Sequence, residues 1–253
     1  MTTPPAQQPP RRVRIIGTEV DAITLSAAAD QVIAWADARR SKYVVCANVH
    51  VLVTAADDLA YAAAIADADL VTPDGVPLVW TLRRRGVPEQ QRVYGPDLML
   101  EVCERAARDG LPIWLHGATE STLALLTQRL VERFPGLQVA GSSAPPFRAQ
   151  SDAEVEDDLA RIHAAGARIL FLALGAPKQE LWAQRTAGRF AGPTLAVGAA
   201  FDFHAGTVAQ APRWMQRAAL EWFYRLLREP RRLWRRYWTT NIRFLRLLRR
   251  DPR

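Results

Sequence analysis

Cysteine is nearly absent from this chain: Cys46 and Cys103 are the only two among 253 residues. So few thiols make no disulfide framework, and reduced side chains in a cytoplasmic setting fit better. Lysine is as scarce, with Lys42 and Lys178 alone, so the net charge of +7 is carried almost entirely by arginine. Arginine suits bidentate phosphate contacts, although so general a bias also fits genomic composition. No uncharged apolar run approaches the ~18 residues of a membrane-spanning helix. Residues Met1 to Pro10 are polar and proline-rich and lack the apolar centre of a signal peptide, so residues 1–11 read as a disordered leader. His50, His116, His163 and His204 have no zinc spacing with each other or with the cysteines. Walker A, dinucleotide-fingerprint and nucleophile-elbow patterns are all missing, which weakens a kinase, dehydrogenase or serine-hydrolase reading.

What is present is an alternation of apolar, β-branched runs with helical patterns. Strands are expected at Arg12 to Gly17, Ala22 to Leu25, Tyr43 to Cys46, Asp69 to Val71, Pro112 to His116, Leu137 to Gly141, Arg168 to Leu174 and Thr194 to Val197. Helices lie between them, among them Ala27 to Arg40 behind a Ser26 cap and an acidic helix behind Ser151. This order implies βαβ units and a mostly parallel sheet, an α/β fold. A composition shift at Ala211-Pro212 separates residues 12–210 from a helical appendage over 211–253, rich in Arg and Trp.

Ligands of open α/β sheets bind at the carboxyl ends of the strands. Four such ends carry polar or glycine-rich residues: Asn48, Asp74, His116-Gly117-Ala118-Thr119 and Gly175-Ala176-Pro177-Lys178-Gln179-Glu180. Asp74, between Pro73 and Gly75, is the candidate catalytic base; its competing role is an N-cap for the helix that follows. Gly117 and Gly175 sit in tight turns before helices, where exposed N–H groups favour an anion, although a glycine after a strand is often only a turn. Lys178 is placed to reach a phosphate and Gln179 to bind a sugar or base. Asp67-Ala68-Asp69 has the form of a metal-binding DxD, but it reads as a helix end entering a strand, with Asp69 facing away from the ligand edge.

From Arg225 to Arg253 the only acids are Glu229 and Asp251. Leu227, Trp234, Trp238, Ile242 and Leu245 recur at helical spacing, with arginines on the other faces. A basic amphipathic helix with Trp on its apolar side suits an anionic membrane surface; the competing role is domain packing. No RNA-binding module accompanies the basic patch, so nucleic acid is not expected as a partner.

Taken together, these residues resemble the WecG/TagA/CpsF glycosyltransferases over nearly the whole chain from Arg12. The likeness rests on Ala47-Asn48, Pro73-Asp74-Gly75, Arg92 with Gly95-Pro96-Asp97, Leu174 to Glu180, Gly198 to Asp202 with Gly206, and Ala211-Pro212. It continues through Glu221-Trp222, Tyr224-Arg225, Glu229-Pro230 and Arg232. The resemblance implies a Rossmann-like domain and an inverting enzyme that needs no metal or other cofactor. It implies a UDP-sugar donor, such as UDP-N-acetylmannosamine, and a polyprenyl-diphosphate-linked acceptor in surface-polysaccharide synthesis. It also implies action on the inner face of the plasma membrane. By the family pattern Asp74 is the base, Asn48 lies near the reacting sugar, Arg92 and Gln179 line the pocket, and Arg225, Arg232 and Arg235 close over the diphosphate. Cys46 departs from the pattern, because the wall-teichoic-acid members carry a Thr there. A catalytically inactive nucleotide-sugar or nucleic-acid binder and a nucleotide-sugar hydrolase are the rival functions. The transferred sugar, the acceptor length and any homo-oligomer stay open.

Overall fold

The computed structural model describes residues 10–212, 214, 215, 220, 223, 224, 226 and 230–251, with backbone only for 230–238. Residues 1–9 of the leader and Arg225 lie outside the described residues, as do the side chains of Arg232, Arg235, Trp234 and Trp238.

Two layers of helices enclose a six-stranded, all-parallel sheet. Its strands are β3 (Lys42–Ala47), β4 (Leu70–Pro73), β5 (Ile113–Gly117), β6 (Val139–Ser143), β7 (Ile169–Ala173) and β8 (Pro193–Ala196), in the order β4-β3-β8-β7-β5-β6. Strands β3, β4, β7 and β8 are almost continuously apolar and buried, as strands covered on both faces must be. A separate antiparallel hairpin, β1 (Arg11–Ile15) and β2 (Thr18–Ala22), precedes the sheet. The second strand thus starts four residues earlier than its sequence pattern suggests, because Ile16 and Gly17 turn the chain at positive φ.

The helices are α1 (Leu25–Asp37), α2 (Val49–Ala55), α3 (Leu59–Ala66), α4 (Val76–Arg84), α5 (Gly95–Asp109), α6 (Glu120–Arg133), α7 (Asp152–Ala164), α8 (Lys178–Arg185), α9 (Ala200–Ala205) and α10 (Pro230–Arg250). Thr24, not Ser26, caps α1, its side chain accepting from Ala27 N. Ser151 caps α7 in a reciprocal box with Glu154. Asp69 pairs with Lys42 at 2.7 Å and accepts from Tyr43 N at the amino ends of β4 and β3, away from the ligand edge.

Helix α10 lies against α2 and returns to the first hairpin. Phe244 is buried in the core, with Leu247 and Leu248 packed against it. Asp251 accepts from Ile16 N and pairs with Arg85 at 3.0 Å, and Arg243 pairs with Asp57. Leu245 faces outward and is 56 % exposed. The described part of the appendage therefore has both a packing face and an outward apolar position.

Gly117 ends β5 at φ 123°, and a Cβ on it would lie 2.5 Å from the Ala173 carbonyl group of β7. A strained φ and a backbone clash coincide there. Gly117→Ala is expected to cost about 3 kcal/mol. Urea unfolding checks this, and a midpoint unchanged from wild type would contradict the close-packing account.

Candidate active site

The exits of β3 and β4 are joined at one acceptor. Ala47 O receives both Asp74 N at 2.9 Å and Gly75 N at 3.1 Å. A Cβ on Gly75 would lie 3.1 Å from Asn48 Cα, so glycine lets the two exits touch more closely than a side chain would without a small shift. Asn48 caps α2: its Oδ1 accepts from His50 N at 3.0 Å and Val51 N at 3.3 Å, which leaves its Nδ2 for a ligand. Asp74 has no such duty. The N-cap of α4 is Gly75, and no side chain caps that helix.

Arg92 grips Asp74 at two points. Its Nε donates to the Asp74 carbonyl, and one terminal nitrogen lies 3.1 Å from Asp74 Oδ1. The guanidinium stacks 3.8 Å above the Tyr94 ring, a flat surface that suits arginine. Val93 N bonds to Pro73 O, so the segment before α5 runs along the β4 exit. Gly95 then begins α5 against Cys46, where a Cβ would approach Sγ to 3.3 Å. Burial pushes the Cys46 thiol up, and the neighbouring Asp74 charge adds to this while Thr72 opposes it. Cys46 therefore stays a neutral thiol.

A cavity of about 380 Å³ opens over these exits. Cys46, Asn48, Asp74, Arg92, Gly175 and Gln179 all line it. Contributors to which sequence reasoning gave no site role include His50, Tyr94, Gly198, Thr240 and Asn241. Glu180 is another, noted only as part of its polar run, and it is fully buried at the cavity wall. Burial pushes its carboxyl above the usual carboxylate range, while Gln179 and the Tyr61 hydroxyl pull the other way. One signal pointed to the α10 pair. Thr239, Thr240 and Asn241 are the only consecutive neutral polar residues in a helix otherwise made of arginine, apolar and aromatic residues.

Two predicted residues lie elsewhere. Lys178 is exposed and donates to Phe147 O at 2.5 Å, and it does not line the cavity. Gly117 is also outside it, because β5 lies beyond β7 in the sheet order. Among the described residues no three His, Cys, Asp or Glu side chains come together as a metal site.

A parallel α/β sheet with a polar cavity at its carboxyl edge is a frame for small-molecule transfer chemistry. Comparison with known proteins narrows the class. The model of the glycosyl transferase WecG/TagA/CpsF family matches residues 13–253. A curated relative in Bacillus spizizenii is 32% identical over 203 residues, 80% of this chain and 77% of the relative. It is named an N-acetylglucosaminyldiphosphoundecaprenol N-acetyl-beta-D-mannosaminyltransferase. The chain is a glycosyltransferase and belongs to the WecG/TagA/CpsF family.

The β5 exit builds a buried polar cluster instead. His116 is fully buried, with Nδ1 2.7 Å from Ser143 Oγ and the ring 4.8 Å from Trp182. Its Nε2 lies 3.9 Å from Asp158. Burial lowers its pKa to about 4, with Arg161 adding to the effect and Asp158 opposing it. The unfolded chain, with a normal histidine near ~6.5, takes up the proton first as pH falls. The stabilisation is thus complete above about pH 6.5 and is lost between about 6.5 and 4. Stability measured against pH should fall in that window, and His116→Gln should flatten this part of the profile; an unchanged profile would contradict the buried neutral state.

Proposed function

We propose that the protein transfers N-acetylmannosamine, or a related hexose, from a UDP-sugar to a polyprenyl-diphosphate-linked saccharide, with inversion and without a metal. The observation that carries this reading is Asp74: a carboxylate free of capping duty, aligned by Arg92 and lining a cavity with Asn48 and Gln179. The relative's name supports the acceptor and sugar classes.

In this mechanism an acceptor hydroxyl attacks the anomeric carbon of the donor. Its proton passes to Asp74 as the new glycosidic bond forms. The bond to the diphosphate breaks, and its electron pair leaves with UDP. Arg225, Arg232 and Arg235 are the proposed counter-charges for that leaving group, since preorganised cations stabilise charge as it develops. Thr240 and Asn241 wall the cavity and help to exclude water, which otherwise hydrolyses the donor. Cys46 and Gly175 shape the floor beside the sugar, and Lys178 and Gly117 lie outside the cavity.

The proposed setting is the cytoplasmic face of an anionic membrane, since the acceptor is lipid-linked. No helix of the described residues is long and apolar enough to cross a membrane. Exposed Leu245 on α10 lines a groove with Arg84 and Arg249, a combination suited to a headgroup surface.

Asp74→Asn should lower turnover by ~10²–10⁴-fold while leaving UDP-sugar binding near wild type. Product mass and calorimetric titration check the two halves, and near-normal turnover would remove Asp74 as the base. The intact protein should float with phosphatidylglycerol vesicles at low salt, and Arg84→Glu with Arg249→Glu should weaken flotation. Flotation no greater than with neutral vesicles would refute membrane contact through α10.

A further inference from the structure

The polar wall of the cavity has a second layer, formed by Gln179 and Glu180 at the start of α8. Both side chains are buried, Gln179 at 6 % exposure and Glu180 at 0 %. Gln179 Nε2 donates to Glu180 Oε1 at 2.9 Å. Among the described residues Gln179 Oε1 has no hydrogen-bond partner. The whole carboxamide lies beside Gly198, a cavity residue: a Cβ there would come to 3.4 Å from Oε1 and 3.6 Å from Nε2, and only Nε2 is already engaged, by Glu180. Gly198 sits at φ 54°, a backbone that favours glycine, so the approach to Gln179 is kept clear of a side chain. On its other side Glu180 faces the buried Tyr61 hydroxyl of α3.

A carboxamide is nearly symmetric in shape but not in chemistry: one end donates and the other accepts. An unrestrained glutamine offers a ligand either end by rotating about its last torsion. Here an acceptor on one flank determines which end is presented. We propose that Glu180 is a positioning residue that locks the Gln179 carboxamide with its oxygen toward the cavity, so that this point of the site binds a hydrogen-bond donor of the substrate. The donor is a sugar hydroxyl, an acetamido N–H or the N–H of a pyrimidine base. The substrate side of this inference rests on the UDP-sugar reading above; the lock itself does not. A buried, unpaired acceptor is costly, and a ligand lacking a donor there leaves it unpaired, so the lock discriminates among donors.

The test combines kinetics with NMR on the full chain. Gln179→Ala should lower kcat/KM with a UDP-sugar about tenfold, the scale of one lost hydrogen bond in a closed site. Glu180→Ala should cost about the same, and the double variant no more than either single one, because Glu180 acts through Gln179. Glu180→Gln keeps an acceptor beside Gln179 Nε2 and should stay within about threefold of wild type. Equal losses in Glu180→Gln and Glu180→Ala, or additive losses in the double variant, would overturn the proposal. In ¹⁵N spectra the Gln179 carboxamide protons, assigned by their loss in Gln179→Ala, should exchange slowly in wild type and rapidly in Glu180→Ala. Equal exchange in the two would also overturn it. If wild type turns over no UDP-sugar, the functional reading fails, while the exchange measurement still decides the lock.

Discussion

One carbonyl oxygen holds the site together. Ala47 O receives the amides of Asp74 and Gly75, and Gly75 presses its bare Cα against Asn48. Two strand exits that would otherwise diverge are thereby held at contact. A side chain at position 75 would press against Asn48 and push the two exits slightly apart. The two exit residues then divide the work. Asn48 spends its oxygen on the N-terminus of α2 and is fixed by it. Asp74 gives nothing to α4 and is held by Arg92 instead.

Arg92 is itself held from several sides, which is why one ion pair orients a carboxylate so closely. Its Nε is committed to a backbone carbonyl and its plane to Tyr94. The guanidinium thus has little rotational freedom left, and Asp74 inherits that order. The same economy recurs at the opposite wall, where Gln179 takes its orientation from a neighbour buried even more deeply.

The α/β alternation was legible because strands covered on both faces leave long apolar runs, as at Val44 to Ala47 and Ile169 to Leu172. Asp74, Asn48 and Gln179 could be picked out as candidates because polar residues at strand exits have few structural reasons to be there, whereas Arg92, in the loop before α5, was indicated only by the family resemblance. Gly117 and Lys178 were chosen on the same logic, but the sheet order carries the β5 exit past the cavity, and Lys178 turns to Phe147 O. Strand order is a non-local property that periodicity does not encode. Thr240 and Asn241 were missed for a related reason: nothing local says that a helix so far along the chain folds back over β3 and β4. The start of β2 was misjudged because Ile16 at positive φ is a turn without the usual turn residues.

The return of α10 has a consequence for the order in which the molecule becomes an enzyme. Asp251 meets Ile16 across 235 residues of sequence, and Thr240 and Asn241 reach the cavity only with that return. All six strands of the sheet are synthesised before them. A nascent chain whose sheet has already formed still holds its cavity as an open trough, without this wall. The aligned carboxylate is therefore built early, in a site that water enters freely, and the compartment that separates transfer from hydrolysis is the last part of the molecule to be translated into place.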